Sequence, residues 1–277
     1  MRTMDADNSN APILPVPPEP FALIIGPSMR GASDVSLETS LRHMGLRPER
    51  ADSERADMME QIAPPLFRLR FGRESMLAGR AADAALALVD PANPATSLLA
   101  ASLPQGWRES GQCWMFVPEE DGHGAHEQTM QMREFFKMMV LLIDLFDASH
   151  FFWSPARLWS DAPQFRASVA EMLISGMPPI LHLVAFRRHE AEGVDFVGTR
   201  GLALFAQQEL EGRIPKGWTV AEMVRRLARL SLDMMLNGPV RESRRMRGLD
   251  PGEWVHLSPP PDAGGSSPVR VEFGGDL

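Results

Sequence analysis

Thr219 to Pro239 reads TVAEMVRRLARLSLDMMLNGP, a long helix pattern set among runs too short to be helices, and that contrast decides the fold class. Val220, Met223, Val224, Leu227, Leu230 and Met234 recur at the three- and four-residue spacing that brings side chains onto one helix face. Thr219 and Glu222 stand where a capping box needs them, and Gly238-Pro239 ends the pattern because neither residue continues a helix readily. Arg225, Arg229 and their arginine neighbours fall away from the apolar stripe. The spacing therefore predicts a solvated cationic face, with docking of an acidic partner as the alternative use.

Working outward, three more helices are expected. Pro163 opens one whose Phe165, Val169, Met172 and Leu173 share a face and which stops at Gly176 and Pro178. Another runs from about Glu127 to Phe146, amphipathic at first and then apolar on nearly every side, as an enclosed helix would be. A shorter one carries Leu37, Leu41 and Met44 and stops at Gly45. Between them lie apolar runs of strand length at 21–25, 66–71, 86–89, 113–117, 151–153, 180–186 and 202–205, with a further strand near 197 and a terminal one near 254 or 269. The order predicts an α+β fold of antiparallel and mixed sheets with helices packed on one face, and it suits two ferredoxin-like βαββαβ halves. The expected divisions are a Pro-rich tail at 1–20, an N-terminal half at 21–126, a C-terminal half at 127–257 and a tail at 258–277 that includes a short strand.

Composition bounds the partners. The chain has 277 residues, an apolar fraction of 44% and a formal charge of −8, so a sizeable core is available and a phosphate backbone would be repelled at long range. Nucleic acid is not expected. The run from Phe135 to Phe146 is interrupted by Lys137 and Asp144 and falls short of the roughly 20 residues a membrane span needs. Cys113 has no second cysteine to pair with, and no charged and then apolar leader opens the sequence, so a reducing cytoplasm is expected. Arginine outnumbers lysine 26 to 2, a bias ascribed to a GC-rich genome rather than to function.

Three stretches carry a resemblance: FFWSPARLW at 151–159, MPPILHLVAFRR at 177–188 and TRGLALFAQQELE at 199–211. Their aromatic-Trp pair (Phe152-Trp153), Pro-led hydrophobic run (Pro178 to Phe186), Thr199-x-Gly201-Leu202 and Glu209-x-Glu211 resemble a bacterial family catalogued as domain of unknown function 4261. The resemblance is clearest over residues 150–240. It implies the fold and a bacterial origin, and it carries no activity.

The chemistry-bearing residues are few. Glu209 and Glu211 would share one face if their stretch is extended, and paired carboxylates can hold a divalent cation or divide acid and base roles. The ordinary reading is a solvated strand face, because no third ligand sits at a recognisable spacing. His123, His126 and Glu127 lack the spacing of a metalloprotease helix and read as a loop, and the Gly26 to Gly31 connection lacks the pattern of a phosphate cradle. His182 reads as a strand histidine satisfied by a backbone carbonyl, with an acid-base role beside the glutamates as the alternative. Cys113 reads as a core thiol whose burial raises its pKa. With no nucleophile elbow, P-loop or dinucleotide fingerprint, the expectation is a protein- or ligand-binding regulatory module without a cofactor. The alternatives are a metal-dependent hydrolase using Glu209, Glu211 and His182, and a toxin-neutralising or secretion-accessory protein.

Overall fold

The structure, a computed structural model, describes residues 20–26, 33–51, 61–72, 74–99, 102–110, 112–119, 125–260 and 267–275, with the side chains of 125–131 and Gly275 outside that description. The Pro-rich tail expected before residue 20, most of the Gly26 to Gly31 connection, residues 261–266 of the expected C-terminal tail, His123 and the side chains of His126 and Glu127 therefore lie outside the described residues. The fold is α+β, and the chain divides into two compact units at His182 and Leu183. The expected division at 126 and 127 differs because the strand that follows the long helix, at 150–153, pairs with the strand at 22–25.

The first unit is built from β1 (Ala22–Ile25), α1 (Asp34–His43), β2 (Arg47–Arg50), β3 (Ile62–Phe71), β4 (Glu74–Ala81), α2 (Asp83–Leu88), β5 (Ser97–Leu98), β6 (Cys113–Pro118), α3 (Ala125–Phe146), β7 (His150–Trp153), β8 (Leu158–Asp161), α4 (Ala162–Ser175) and the single turn α5 (Ile180–Leu183). Among the described residues its sheet has eight strands in the order β2-β3-β4-β6-β1-β7-β8-β5. β1 lies between β6 and β7, antiparallel to both, with Leu23 opposite Met115 on one side and Phe152 on the other.

That central position explains the unbroken apolar run of β1: both faces of the sheet are covered, so there is no solvent side for polar residues to occupy. Trp114 and Phe116 meet Phe146 of α3 on one face, where Phe151 stacks on Phe165 of α4 with ring centroids 3.9 Å apart. On the other, Leu23, Ile25, Cys113, Met115 and Phe152 pack with Ala85 and Leu86 of α2, Val89, and Leu103 and Trp107. The expectation of helices on one face alone is corrected here.

Local chemistry places the helices. Ser33 accepts from Ser36 N at the start of α1, and Asp161 accepts from Gln164 N at the start of α4, where Pro163 occupies the first turn. Three runs expected as strands are helical instead. The 86–89 run lies mostly in alanine-rich α2. The run at 180–186 begins as α5 because Pro178 and Pro179 lead a helical turn, with Ile180 N bonded to Pro178 O and His182 N to Pro179 O. Extended structure starts only at Ala185.

The second unit continues with β9 (Ala185–Ala191), β10 (Val194–Arg200), α6 (Ala203–Ala206), β11 (Leu210–Arg213), α7 (Val220–Asn237), β12 (Arg244–Arg247), β13 (Glu253–Ser258) and β14 (Val269–Gly275). The run expected as a strand at 202–205 is thus α6. The sheet order is β12-β13-β14-β11-β10-β9, with β11 and β14 parallel and the other pairs antiparallel. α7 carries the anticipated capping box and buries Met223, Leu227, Leu230 and Met234 on one sheet face, opposite Val197, Leu210, Val255, Leu257, Val269 and Val271.

Gly212 sets how closely α7 approaches. A Cβ there would run into the Met223 terminal methyl and come within 3.0 Å of the Val271 carbonyl oxygen. Met223 can swing aside, whereas the paired β14 backbone cannot. Gly212→Ala is therefore expected to destabilise by about 1–2 kcal/mol, overpacking outweighing the entropy gained in the unfolded chain. A lower urea midpoint at unchanged slope is the measurement that checks this. No helix among the described residues is long and apolar enough to cross a membrane.

Candidate functional site

The TRGLALFAQQELE stretch folds into a lock centred on Glu209. Its carboxylate accepts from the Thr199 hydroxyl at 2.7 Å, Gly201 N at 2.8 Å, Ala203 N at 3.1 Å and Leu202 N at 3.3 Å. Thr199 Oγ1 in turn accepts from Leu210 N at 2.7 Å, so one hydroxyl ties the end of β10 to the start of β11. Gly201 has φ +95°, a conformation that favours glycine, and there its own amide and those of Leu202 and Ala203 converge on one point. That is the physical content of the Thr-x-Gly-Leu spacing. The same amides open α6, which is why residues 202–205 form a helical turn rather than a strand.

Burial pushes the Glu209 carboxyl above its ordinary value, and the Thr199 hydroxyl and the three amides pull against it. Beside it, Gln208 makes a reciprocal pair with the backbone of Val240, donating at 3.0 Å and accepting at 2.8 Å. Together the two side chains brace the turn before β11 and the segment leaving α7. Neither is left free for a ligand.

Glu211 does not join Glu209. It lies on β11, where Leu210 and Gly212 face α7, and so it projects to the opposite face of the sheet. There it meets His189 Nε2 at 3.1 Å, and the His189 ring stacks on Phe196 with an interplanar angle of 15°. Gly198, paired with both Arg187 and Glu211, has no side chain on that face, and the gap lets His189 reach across β10. The two carboxylates therefore share no partner. Among the described residues no group of three or more His, Cys, Asp or Glu is placed to hold a metal ion.

The same face carries Arg213, Arg270, Glu272, His256 and Arg245, all exposed, with Trp254 half-buried beneath Arg245, whose guanidinium carbon sits 4.4 Å from the ring centroid. In register across the strands, Arg245 stands opposite His256 and His256 opposite Glu272. The face is polar, mixed in charge and basic toward β12.

His182 belongs to the first unit and the two glutamates to the second. It lies in α5 rather than in a strand, 6% exposed, edge-on to Phe165, and no carbonyl satisfies its Nδ1, which has no hydrogen-bond partner among the described residues. Burial pulls its pKa down to about 4 against the nearby Asp161. Of the remaining motif residues, Trp153 is fully buried against Phe135 and Phe136. Cys113 is a core thiol that burial pushes up to about 12.

One cluster escaped the sequence reading. Arg226, grouped there with the solvated arginines, is 5% exposed on the sheet side of α7. Its guanidinium forks onto Glu253 at 2.6–3.0 Å, reaches Asp250 and lies 3.9 Å above the Trp218 ring. Its position beside the apolar Met223 and Leu227, inside the stripe rather than opposite it, was the available signal. Arg225 and Arg229 are exposed as expected. Comparison with protein-family models, with curated proteins and with solved structures found no match for this chain.

Proposed function

We propose that this chain is a non-catalytic protein-binding module whose second unit presents the open sheet face to a partner. The observation that carries this reading is the division of labour between the two sheet faces. The face under α7 holds the core, and the other exposes Arg213, Arg270, His256 and Arg245. The residues that looked most chemical are spent on structure: both Glu209 oxygens already accept hydrogen bonds from protein donors. The formal charge of −8 favours a protein over a nucleic acid as partner, and a cytoplasmic setting is part of the same reading.

The β7-β1-β6-β4 order within the first sheet, with α1 between β1 and β4 and α3 between β6 and β7, supports reading that unit as an elaborated ferredoxin-like βαββαβ arrangement. Membership of the family that residues 199–211 resemble belongs to the proposal, and the Thr199, Gly201 and Glu209 lock supports it.

A photo-cross-linking residue placed at Arg213 or His256, in the cells that make the protein, is expected to give the same discrete adduct in repeated preparations. The same probe at exposed Glu171 on α4 is expected to give none. Absence of an adduct from the open face would overturn the reading. A metal-dependent hydrolase is tested separately by thermal unfolding with EDTA and with divalent cations, because a ligand of the folded state raises the midpoint. No shift is expected. A metal-dependent rise abolished by Glu209→Gln and Glu211→Gln would replace the binding module with the hydrolase.

A further inference from the structure

We infer that the free edge of β12 accepts an extended, acidic segment of a partner protein as an added strand. The inference rests on the protein-binding reading and names the partner's chemistry. β12 ends the second sheet: it pairs with β13 on one side, and no strand pairs with its other side among the described residues. An edge strand offers outward N–H and C=O groups at the spacing of the next strand, and their hydrogen bonds supply affinity when a peptide adds to the sheet.

The side chains decide which peptide is welcome. β12 reads RRMR, and Arg244, Arg245 and Arg247 are exposed, as is Arg241 just before it. Arg244 is partly answered by Asp233, and Arg245 lies over Trp254. Arg247 lines a shallow cleft with Arg229, whose other walls include Leu230, Leu249, Val255 and Phe273. Like charges brought opposite one another in neighbouring strands destabilise the pairing, so this edge rejects a second copy of itself and any basic strand. An acidic strand meets complementary charge. Its apolar residues, on alternate positions, would fall on the α7 side beside half-buried Met246 and the cleft.

The edge is also held in place for such a role. Arg226 and Glu253 fix the turn between β12 and β13, Glu253 accepting from Leu249 N and from Arg226, while Gly248 N bonds to Glu253 O. The guanidinium of Arg229 adds a bond to the Gly248 carbonyl at 2.8 Å. A strand template needs such a fixed backbone, because an edge that frayed would lose ordering entropy with every bond it made.

The test uses the full chain and a labelled ten-residue peptide alternating Glu and Val, followed by fluorescence anisotropy. Saturable binding is expected, about tenfold weaker with Arg247→Glu and unchanged with Arg133→Glu on α3, and weakened several-fold between low and physiological salt. A Lys-Val peptide is expected not to bind. N-methylating alternate peptide amides removes strand hydrogen bonds while keeping charge, so it should abolish binding. Full affinity after methylation would overturn strand addition, as would no binding of the Glu-Val peptide. Tighter binding of a ten-nucleotide single strand of DNA would overturn the choice of a protein partner. If the peptide fails and cross-linking from the open face succeeds, the edge is wrong and the binding module stands. If both fail, the binding module falls as well.

Discussion

Replacing Glu209 by alanine is expected to lower the free energy of unfolding by about 3 kcal/mol, because it removes the acceptor shared by one hydroxyl and three backbone amides. Each of those donors, left unsatisfied in a half-buried turn, costs about 1–3 kcal/mol, and water entering the vacated space recovers part of the sum. Glu209→Gln should lose less, about 2 kcal/mol, since one oxygen remains while the new amide group faces donors. Urea unfolding followed by circular dichroism measures both, and a shifted midpoint at constant slope is the expected form. A loss below about 0.5 kcal/mol, within the range of ordinary surface substitutions, would mean the carboxylate is not structural and is free to serve a ligand.

The pH dependence gives a second check. Burial raises the Glu209 carboxyl in the folded state above its unfolded value. Between those two values the folded chain binds more protons than the unfolded one, so this group makes stability fall as pH rises through that window. Glu209→Gln should remove that component of the slope. A variant whose stability keeps the same pH dependence there would contradict the assignment.

Much of this architecture was legible where the signal was local. Thr219 and Glu222 mark a helix start by their spacing and Pro163 by its place in a first turn, and both helices begin there. β1 and β6 were legible because enclosure on both faces demands an unbroken apolar run. β2 and β12, with sequences RPER and RRMR, were not, since strands at a sheet edge need no apolar alternation to be held by backbone pairing. Residues 202–205 misled for a related reason. Their composition suits a strand, and what makes them a helical turn is a carboxylate that arrives from Glu209, after the segment it organises.

The candidate site divides the same way. The Thr199, Gly201 and Glu209 spacing stood out, but its meaning depended on whether Glu209 points at amides or at open space, and no spacing rule settles that. Glu211 lies on an extended stretch, which the sequence left as a condition, and its partner His189 lies two strands away and is reached across Gly198. Arg226 was hidden by its own neighbours. In a run that also holds Arg225 and Arg229, nothing about one arginine distinguishes it except its phase relative to Met223 and Leu227.

That phase sets up the other large effect. Arg226→Met is expected to destabilise by about 3–5 kcal/mol, since it leaves Glu253, 9% exposed, without the guanidinium that answers its charge. Arg226→Met combined with Glu253→Leu should recover most of that loss, because an apolar pair of similar volume does not have to be desolvated. A double-mutant cycle with a coupling energy near zero would show that the pair does not hold α7 to the β12-β13 turn. Burial alone would raise the Glu253 carboxyl, but Arg226 and the nearby amides of Leu249 and Asp250 hold it below the ordinary 4.5. The unfolded chain therefore binds more protons in that range, and the stabilisation, present above about pH 4.5, is lost as pH falls through the depressed value. In Arg226→Met the sign should reverse: an unanswered buried carboxylate takes up a proton more readily than in the unfolded chain, so acidification toward pH 4.5 should stabilise the variant relative to pH 7. The same substitution loosens the turn that fixes β12 and changes a wall of the cleft that Arg247 lines, so it should also weaken binding of the Glu-Val peptide.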